Sequence, residues 1–186
     1  MSFCLTGGIP QDCNEFGAGG IDKIWVAPLD AVASVTLAAG VVTAITMEVG
    51  PPAGLFYELI PYQETTVFTE SLERAQVSSK FTQTLQALFP IRTTAKREAI
   101  MELVNCNCGL VIVHRENTGK LWIWGLTKDK EATLGISFGA QISGGTTGTS
   151  GTAISDSNNE TLSFEAVSTF KAYEVDSAFD MSTVTA

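Results

Sequence analysis

The stretch TVFTESLERAQVSSKFTQTLQALFP, residues 66–90, carries two hydrophobic periods, and the one that governs decides the architecture. Phe68, Leu72 and Ala75 recur at i, i+4, i+7, and Phe81, Leu85 and Leu88 repeat that spacing, as on one face of a helix. Phe81, Gln83, Leu85 and Ala87 also alternate with Lys80, Thr82, Thr84 and Gln86, as in a strand. Composition weighs towards the strand. Thr65, Thr66, Val67, Thr69, Val77, Thr82 and Thr84 are β-branched, and Ser71, Ser78 and Ser79 are weak helix formers. The polar run ERAQVSS interrupts the pattern at its centre. The segment therefore reads as a long β-hairpin over about 57–89, bent at ERAQVSS, with a helix over 70–77 as the alternative.

The rest of the chain favours strands. IDKIWVAPL places Ile24, Val26 and Trp25 in a first strand that Pro28 stops or confines to an edge. VASVTLAAGVVTAITMEVG, 32–50, reads as a hairpin turning at Ala39-Gly40, and PPAG, 51–54, breaks the chain. LFYELIPY, 55–62, alternates with Leu55, Tyr57 and Leu59 on one face. GLVIVHRENTGKLWIWGLT, 109–127, is the clearest hairpin, its apolar arms flanking ENTGK. A further strand is expected at ATLGISFG, 132–139, a surface loop over 143–159, and a last strand over 160–175. In that last strand Leu162, Phe164, Ala166 and Phe170 alternate with Ser163, Glu165, Val167 and Thr169.

One helix is expected, TTAKREAIMELVNC at 93–106, capped by Thr94 and ended by NCNCG with Gly109. Ala95, Ala99, Ile100, Leu103 and Val104 make its apolar stripe, while Lys96, Arg97, Glu98 and Glu102 face water. A helix this short must lie on a sheet. The expected fold is mainly β: two packed antiparallel sheets, sandwich-like or barrel-like, flanked by that one helix. An N-terminal arm, 1–20, precedes a β-domain over 21–175, and 176–186 reads as a C-terminal tail.

Chemistry-bearing patterns are sparse. The chain has one histidine, His114, within a strand, and it reads as a surface or half-buried residue. Cys4, Cys13, Cys106 and Cys108 do not match a C-x₂-C zinc pattern, and no disulfide is expected. No phosphate-binding G-x-x-x-x-G-K-[ST] and no G-x-S-x-G elbow occurs. Glu70 with Glu73, and Asp156 with Glu160, are near in sequence and read as solvated pairs. Trp122 and Trp124 share a strand face that either packs in the core or stacks a sugar. No enzymatic activity, cofactor or metal is expected. The net charge of −9 disfavours a protein that grips nucleic acid, but it allows one that nucleic acid slides past. No run of about 18 apolar residues is present to span a membrane. The first residues lack the basic flank and apolar core of a signal peptide, so folding in a cytosol is expected.

The order of elements carries a resemblance. TVFTESLER…KFTQTLQALFP is followed by one helix, then LVIVHRENTGKLWIWG and SGTAISDSNNETLSFEA, with GGIDKIWVAPLD near the start. This order resembles the tail tube proteins of tailed bacteriophages, in particular short forms like those of Bacteroidetes-type phages and prophages. The likeness covers most of residues 19–175. ERAQVSS lacks the Asn-Gly that many relatives carry at that hairpin tip, and NCNCG has no assigned counterpart. The resemblance implies two packed sheets and a helix, with six copies closing into a ring by sheet extension. Rings would stack into a tube that conducts the genome, with hairpin and terminal arms reaching neighbouring rings. The partners implied are further copies, other virion tail proteins and DNA in transit, in a virion tail assembled in the host cytoplasm. Glu64, Glu70 and Glu73, on or near the long hairpin, are the candidate lumen-facing or inter-ring acidic residues. They read equally as outer-surface charges. Two other functions stay open: another ring-forming virion component (a tail terminator, head–tail connector or tail-barrel ring), and a glycan-binding β-sandwich adhesin.

Overall fold

The computed structural model describes residues 19–50, 53–62, 64–74, 79–91, 93–106, 108–128, 130, 138–144, 147–150 and 158–185. Two apolar runs, IWVA within β1 (Ile21–Pro28) and LVIVH within β7 (Leu110–Glu116), explain its centre. Ile24–Ala27 and Leu110–His114 are buried without alternation, the pattern of strands covered on both faces. They belong to a seven-stranded sheet of order β2-β3-β12-β8-β7-β1-β4. Its other members are β2 (Val32–Ala38), β3 (Val41–Met47), β4 (Tyr57–Leu59), β8 (Leu121–Trp124) and β12 (Tyr173–Val175). All its pairs are antiparallel except β12 on β3, which is parallel.

The second sheet runs β10-β11-β6-β5, with β9 also paired to β11. Its strands are β5 (Val67–Arg74), β6 (Ser79–Pro90), β9 (Gln141–Ile142), β10 (Thr147–Thr149) and β11 (Asn159–Ser168). One face of this sheet gives Leu85, Ala87, Leu162, Phe164 and Ala166 to a core shared with Ile24, Val26, Leu110, Ile112 and Trp124. The opposite face of the seven-stranded sheet forms a second core around Trp25, Val35, Val42, Ile45, Phe56, Val111, Val113 and Ile123. A fully buried aliphatic or aromatic side chain contributes about 1.5–3 kcal/mol, so these two cores hold the sandwich together. The two-sheet, one-helix architecture is the expected one, and the strand period governs residues 67–74 and 79–90.

Several boundaries move. The arms of the long hairpin are Val67–Arg74 and Ser79–Pro90 rather than a span of 57–89, because Tyr57–Leu59 pairs with β1 in the other sheet, and 75–78, within the expected bend, lie outside the described residues. In 55–62 Phe56 is buried and Tyr57 is exposed, the reverse of the expected face. Phe56 is fixed by a backbone bond to Val184 (2.8 Å). Pro28 ends β1, which lies between β4 and β7 rather than at an edge. The helix α1 runs Thr94–Val104, and its cap is Thr93, whose hydroxyl accepts from Lys96 N at 3.2 Å. No residue of α1 is fully buried. Ile100 and Leu103 touch the core between the sheets, and Ala95, Ala99 and Val104 of the expected stripe are exposed. Lys96, expected in water, is half-buried and donates to the carbonyls of Pro90 and Ile91.

Residues 160–175 are two strands in two sheets rather than one, because the chain crosses between layers at Thr169–Ala172. The expected loop over 143–159 contains β10, paired with the start of β11, while 151–157 lie outside the described residues. Most of the strand expected at 132–139 also lies outside them; Ala140, just beyond, bridges to Leu110. Residues 176–185 do not form a free tail: Met181 and Val184 are buried in the core around Trp25. Of the expected arm, only Gly19 and Gly20 are described.

Two turns show why particular residues stand where they do. Ala39 (φ 52°) and Gly40 (φ 83°) give the doubly left-handed turn that matches strand twist in a two-residue hairpin. Gly125 (φ 77°) lets β8 end against β7, since a Cβ there would lie 2.4 Å from the Leu110 carbonyl oxygen.

Candidate functional site

Strand edges are where a sheet can recruit another chain, and the four terminal strands here differ sharply. β4 is three residues long, and the residue before it, Phe56, bridges to Thr185. β2 has two register shifts, and the Val35 amide is taken by the carbonyl of Lys130 (3.0 Å). β10 is three residues long. β5 is eight residues long, pairs with β6 without a register shift from Val67–Gln86 to Arg74–Ser79, and contains neither Pro nor Lys. Its outer edge has no strand partner among the described residues. Charge, bulges, brevity and covering loops ordinarily protect an edge; of these, among the described residues, β5 has only its charges, and most of them are engaged.

Two of those charges, Glu70 and Glu73, are among the expected site residues. Glu70 is half-buried, and its Oε1 accepts from Ala172 N (2.6 Å) and Gln83 Nε2 (3.0 Å). It ties the edge strand to the segment that crosses between the sheets. Glu73 points the other way and is paired with Lys80 of β6 at 2.9 Å. Glu64 sits in the turn before β5, exposed, with a left-handed backbone (φ 61°). The three carboxylates therefore do not form one acidic patch. Strand parity separates Glu70 from Glu73, and Glu64 lies outside the strand.

Sequence reasoning missed the apolar residues on this edge. Val67 is 50% exposed and Leu72 is 57% exposed, on opposite faces of β5. Leu72 stood out only as an apolar residue among the polar side chains of TESLER. A second exposed apolar group, Ile60, Tyr62 and Ile91, lies near the end of β6, where Tyr62 N bonds the Leu88 carbonyl at 2.8 Å. Ile91 is β-branched yet has φ 59°, a costly conformation held by its N–H on the Asn158 carbonyl (2.8 Å). A cleft of about 430 Å³ beside it is lined by Ile60, Pro61, Tyr62, Glu64 and Pro90.

The outer face of the five-stranded sheet is polar. Thr69 and Ser71 of β5 stand beside Thr84 and Thr82 of β6, and Gln86 Nε2 donates to Ser163 Oγ of β11 (3.4 Å). On the inner side, His114 is fully buried rather than at the surface, because parity puts it on the core face with Leu110 and Ile112. Its ring lies 4.5 Å from that of Phe68, and burial lowers its pKa to about 3. Trp124 is fully buried and Trp122 packs against the same core, so the two indoles make no exposed sugar platform.

Elsewhere, reactive groups are occupied or muffled. Cys106 is half-buried and its thiol donates to the Gly109 carbonyl. Burial raises its pKa, with the charges of Cys108 and Asp30 adding to the effect. Cys108 is exposed and free; Cys4 and Cys13 lie outside the described residues. A cleft of about 370 Å³ near Trp25 holds Lys23, Glu58 and Arg115. There Lys23 pairs with Glu58 (2.8 Å) and Arg115 with Asp22 (3.0 Å). Among the described residues no group of three or more His, Cys, Asp or Glu side chains is placed to hold a metal ion, and no helix is long and apolar enough to cross a membrane.

No family model, curated protein or solved structure matches this chain.

Proposed function

We propose that the chain is a structural virion protein whose copies join through sheet edges into rings, and that stacked rings form a phage tail tube through which the genome passes. The carrying observation is the β5 edge: eight residues, in regular register, without Pro or Lys, and exposing Val67 and Leu72. Such an edge templates another strand. The far side of the same sheet ends in β9 and β10, which supply a different edge. Pairing β5 of one copy with the far edge of the next is a head-to-tail contact, and that type of contact closes into a ring when the rotation per copy fits. Six copies is the number that the resemblance implies.

The exposed group of Ile60, Tyr62 and Ile91 is suited to a second contact, between rings or with other tail proteins. The net charge of −9 per copy would be multiplied in an assembly and would keep DNA from adhering. The role is mechanical, without catalysis or cofactor, and the place of work is the virion tail.

Negative-stain electron microscopy of the purified protein at rising concentration tests this. Rings and tubes are expected. Single rings that never stack would move the reading to a terminator, connector or tail-barrel ring. A monomer at every concentration and salt would overturn it. The double substitution Val67→Lys with Leu72→Lys should abolish assembly. Both positions are about half exposed, so its unfolding free energy should change by about 0.5 kcal/mol or less per site.

A further inference from the structure

The seat of the β5–β6 hairpin contains an unusual group. His114 is fully buried, and neither of its ring nitrogens has a hydrogen-bond partner. Trp122 faces it across the β7–β8 pair, and the indole N–H groups of Trp122 and Trp124 are also unpartnered. The lid over this group is one side chain of the edge strand. Phe68 packs on His114 at 4.5 Å and on Trp124 at 5.4 Å between ring centroids. A neutral imidazole packs here as an aromatic ring. An imidazolium would carry a charge with no acceptor for either N–H.

We propose that His114 is an acid-sensitive lock on the edge strand β5: while neutral it seats Phe68, and a proton on its ring is accommodated only when β5 lifts from β6 and admits water. The inference does not depend on what the hairpin assembles with. Charged groups on the elements around the ring do not substitute for a partner. From β5, Glu70 is engaged with Gln83 and Ala172. From β7, Glu116 accepts the Thr118 hydroxyl. The side chains that β1, β6 and β8 give to this core, among them Ile24, Val26, Gln83, Leu85, Trp122 and Trp124, are uncharged.

The direction of the effect follows from linkage. Above pH 6.5 the ring is neutral with β5 closed or open. Below it the open form takes a proton at the ordinary value of 6.5, whereas the closed form refuses one until about pH 3. Opening is therefore favoured about tenfold per pH unit through that window, and closure is strongest above 6.5.

Hydrogen exchange of the β5–β6 ladder amides, corrected for intrinsic rates, tests this between pH 7.5 and pH 5.5, above the carboxylate range. Protection should fall about tenfold while that of β2–β3 holds. In His114→Phe the fall should vanish. A fall of the same size in His114→Phe, or none in the natural chain, would overturn the lock. Should that variant fail to fold, the natural chain supplies a second readout, because its single histidine gives one set of imidazole NMR signals. Those signals should stay neutral from pH 7.5 to 5.5. A titration near pH 6.5 with the ladder still protected would overturn the proposal.

Discussion

The hairpins β7–β8 and β5–β6 follow the same antiparallel pairing rule and meet at one core, yet they are held in opposite ways. In β7–β8 the residues Leu110–His114, Ile123 and Trp124 are all buried, and both faces of the pair are covered. In β5–β6 only Gln83, Leu85 and Ala87 are fully buried, and no residue of β5 is. The first hairpin is fixed by packing on both arms; in the second, β6 is held by Leu85, Ala87 and its ladder with β11, while β5 rests on its ladder with β6, on Phe68 and on the Glu70 contacts. Local opening free energy follows buried apolar contact, so β5 is the strand of the sandwich best able to move or pair without dissolving the rest.

The contrast is sharpest in what single substitutions should do. Trp124→Ala, in the packed hairpin, should lower the unfolding free energy by about 3–5 kcal/mol in urea titration. A loss below about 1 kcal/mol would break the comparison. Glu70→Ala strips the acceptor from Ala172 N–H and the Gln83 amide, and should cost about 1–3 kcal/mol. Its exchange protection should drop first in β5–β6 and not in β7–β8; uniform loss would mean that the hairpin is not a separate unit. Glu73→Ala removes an exposed ion pair with Lys80 and should change stability by about 0.5 kcal/mol or less. A larger change would make Glu73, rather than Glu70, the carboxylate that holds the edge.

What the sequence made legible was governed by period. The strand alternation after Lys80, the Ala39-Gly40 turn and the LVIVH and LWIW arms all survive in the structure, because backbone geometry imposes them locally. What stayed hidden depends on which layer a residue meets. Phe56 is buried in place of Leu55 and Tyr57 because the chain returning from Met181 to Thr185 covers its side of the strand. FEAVSTFKAYEV keeps nearly one alternation across a change of sheet, so periodicity cannot show the crossing at 169–172. His114 reads as polar in sequence, and only the hairpin above it makes it a core residue. The acidic candidates were chosen by position along the hairpin, and sidedness within the strand separates Glu70 from Glu73. The helix was legible as a helix and misread as a cover, since only two of its stripe residues, Ile100 and Leu103, reach the core.

The pairing of β12 with β3 sets an order of events during folding. Glu174 stands opposite Val41 and Val175 opposite Val42, so this parallel contact joins positions 133 residues apart in the 186-residue chain. Hairpins such as β2–β3, β5–β6 and β7–β8 close on a timescale of about 1–10 μs, whereas long-range closures are slow. The β5–β6 ladder can thus be complete while the larger sheet still lacks the strand that joins β3 to β8. A ribbon ready to accept a neighbour would then exist before the body that carries it is finished. At high concentration, the speed of that last closure would decide between orderly assembly and tangling of half-folded chains.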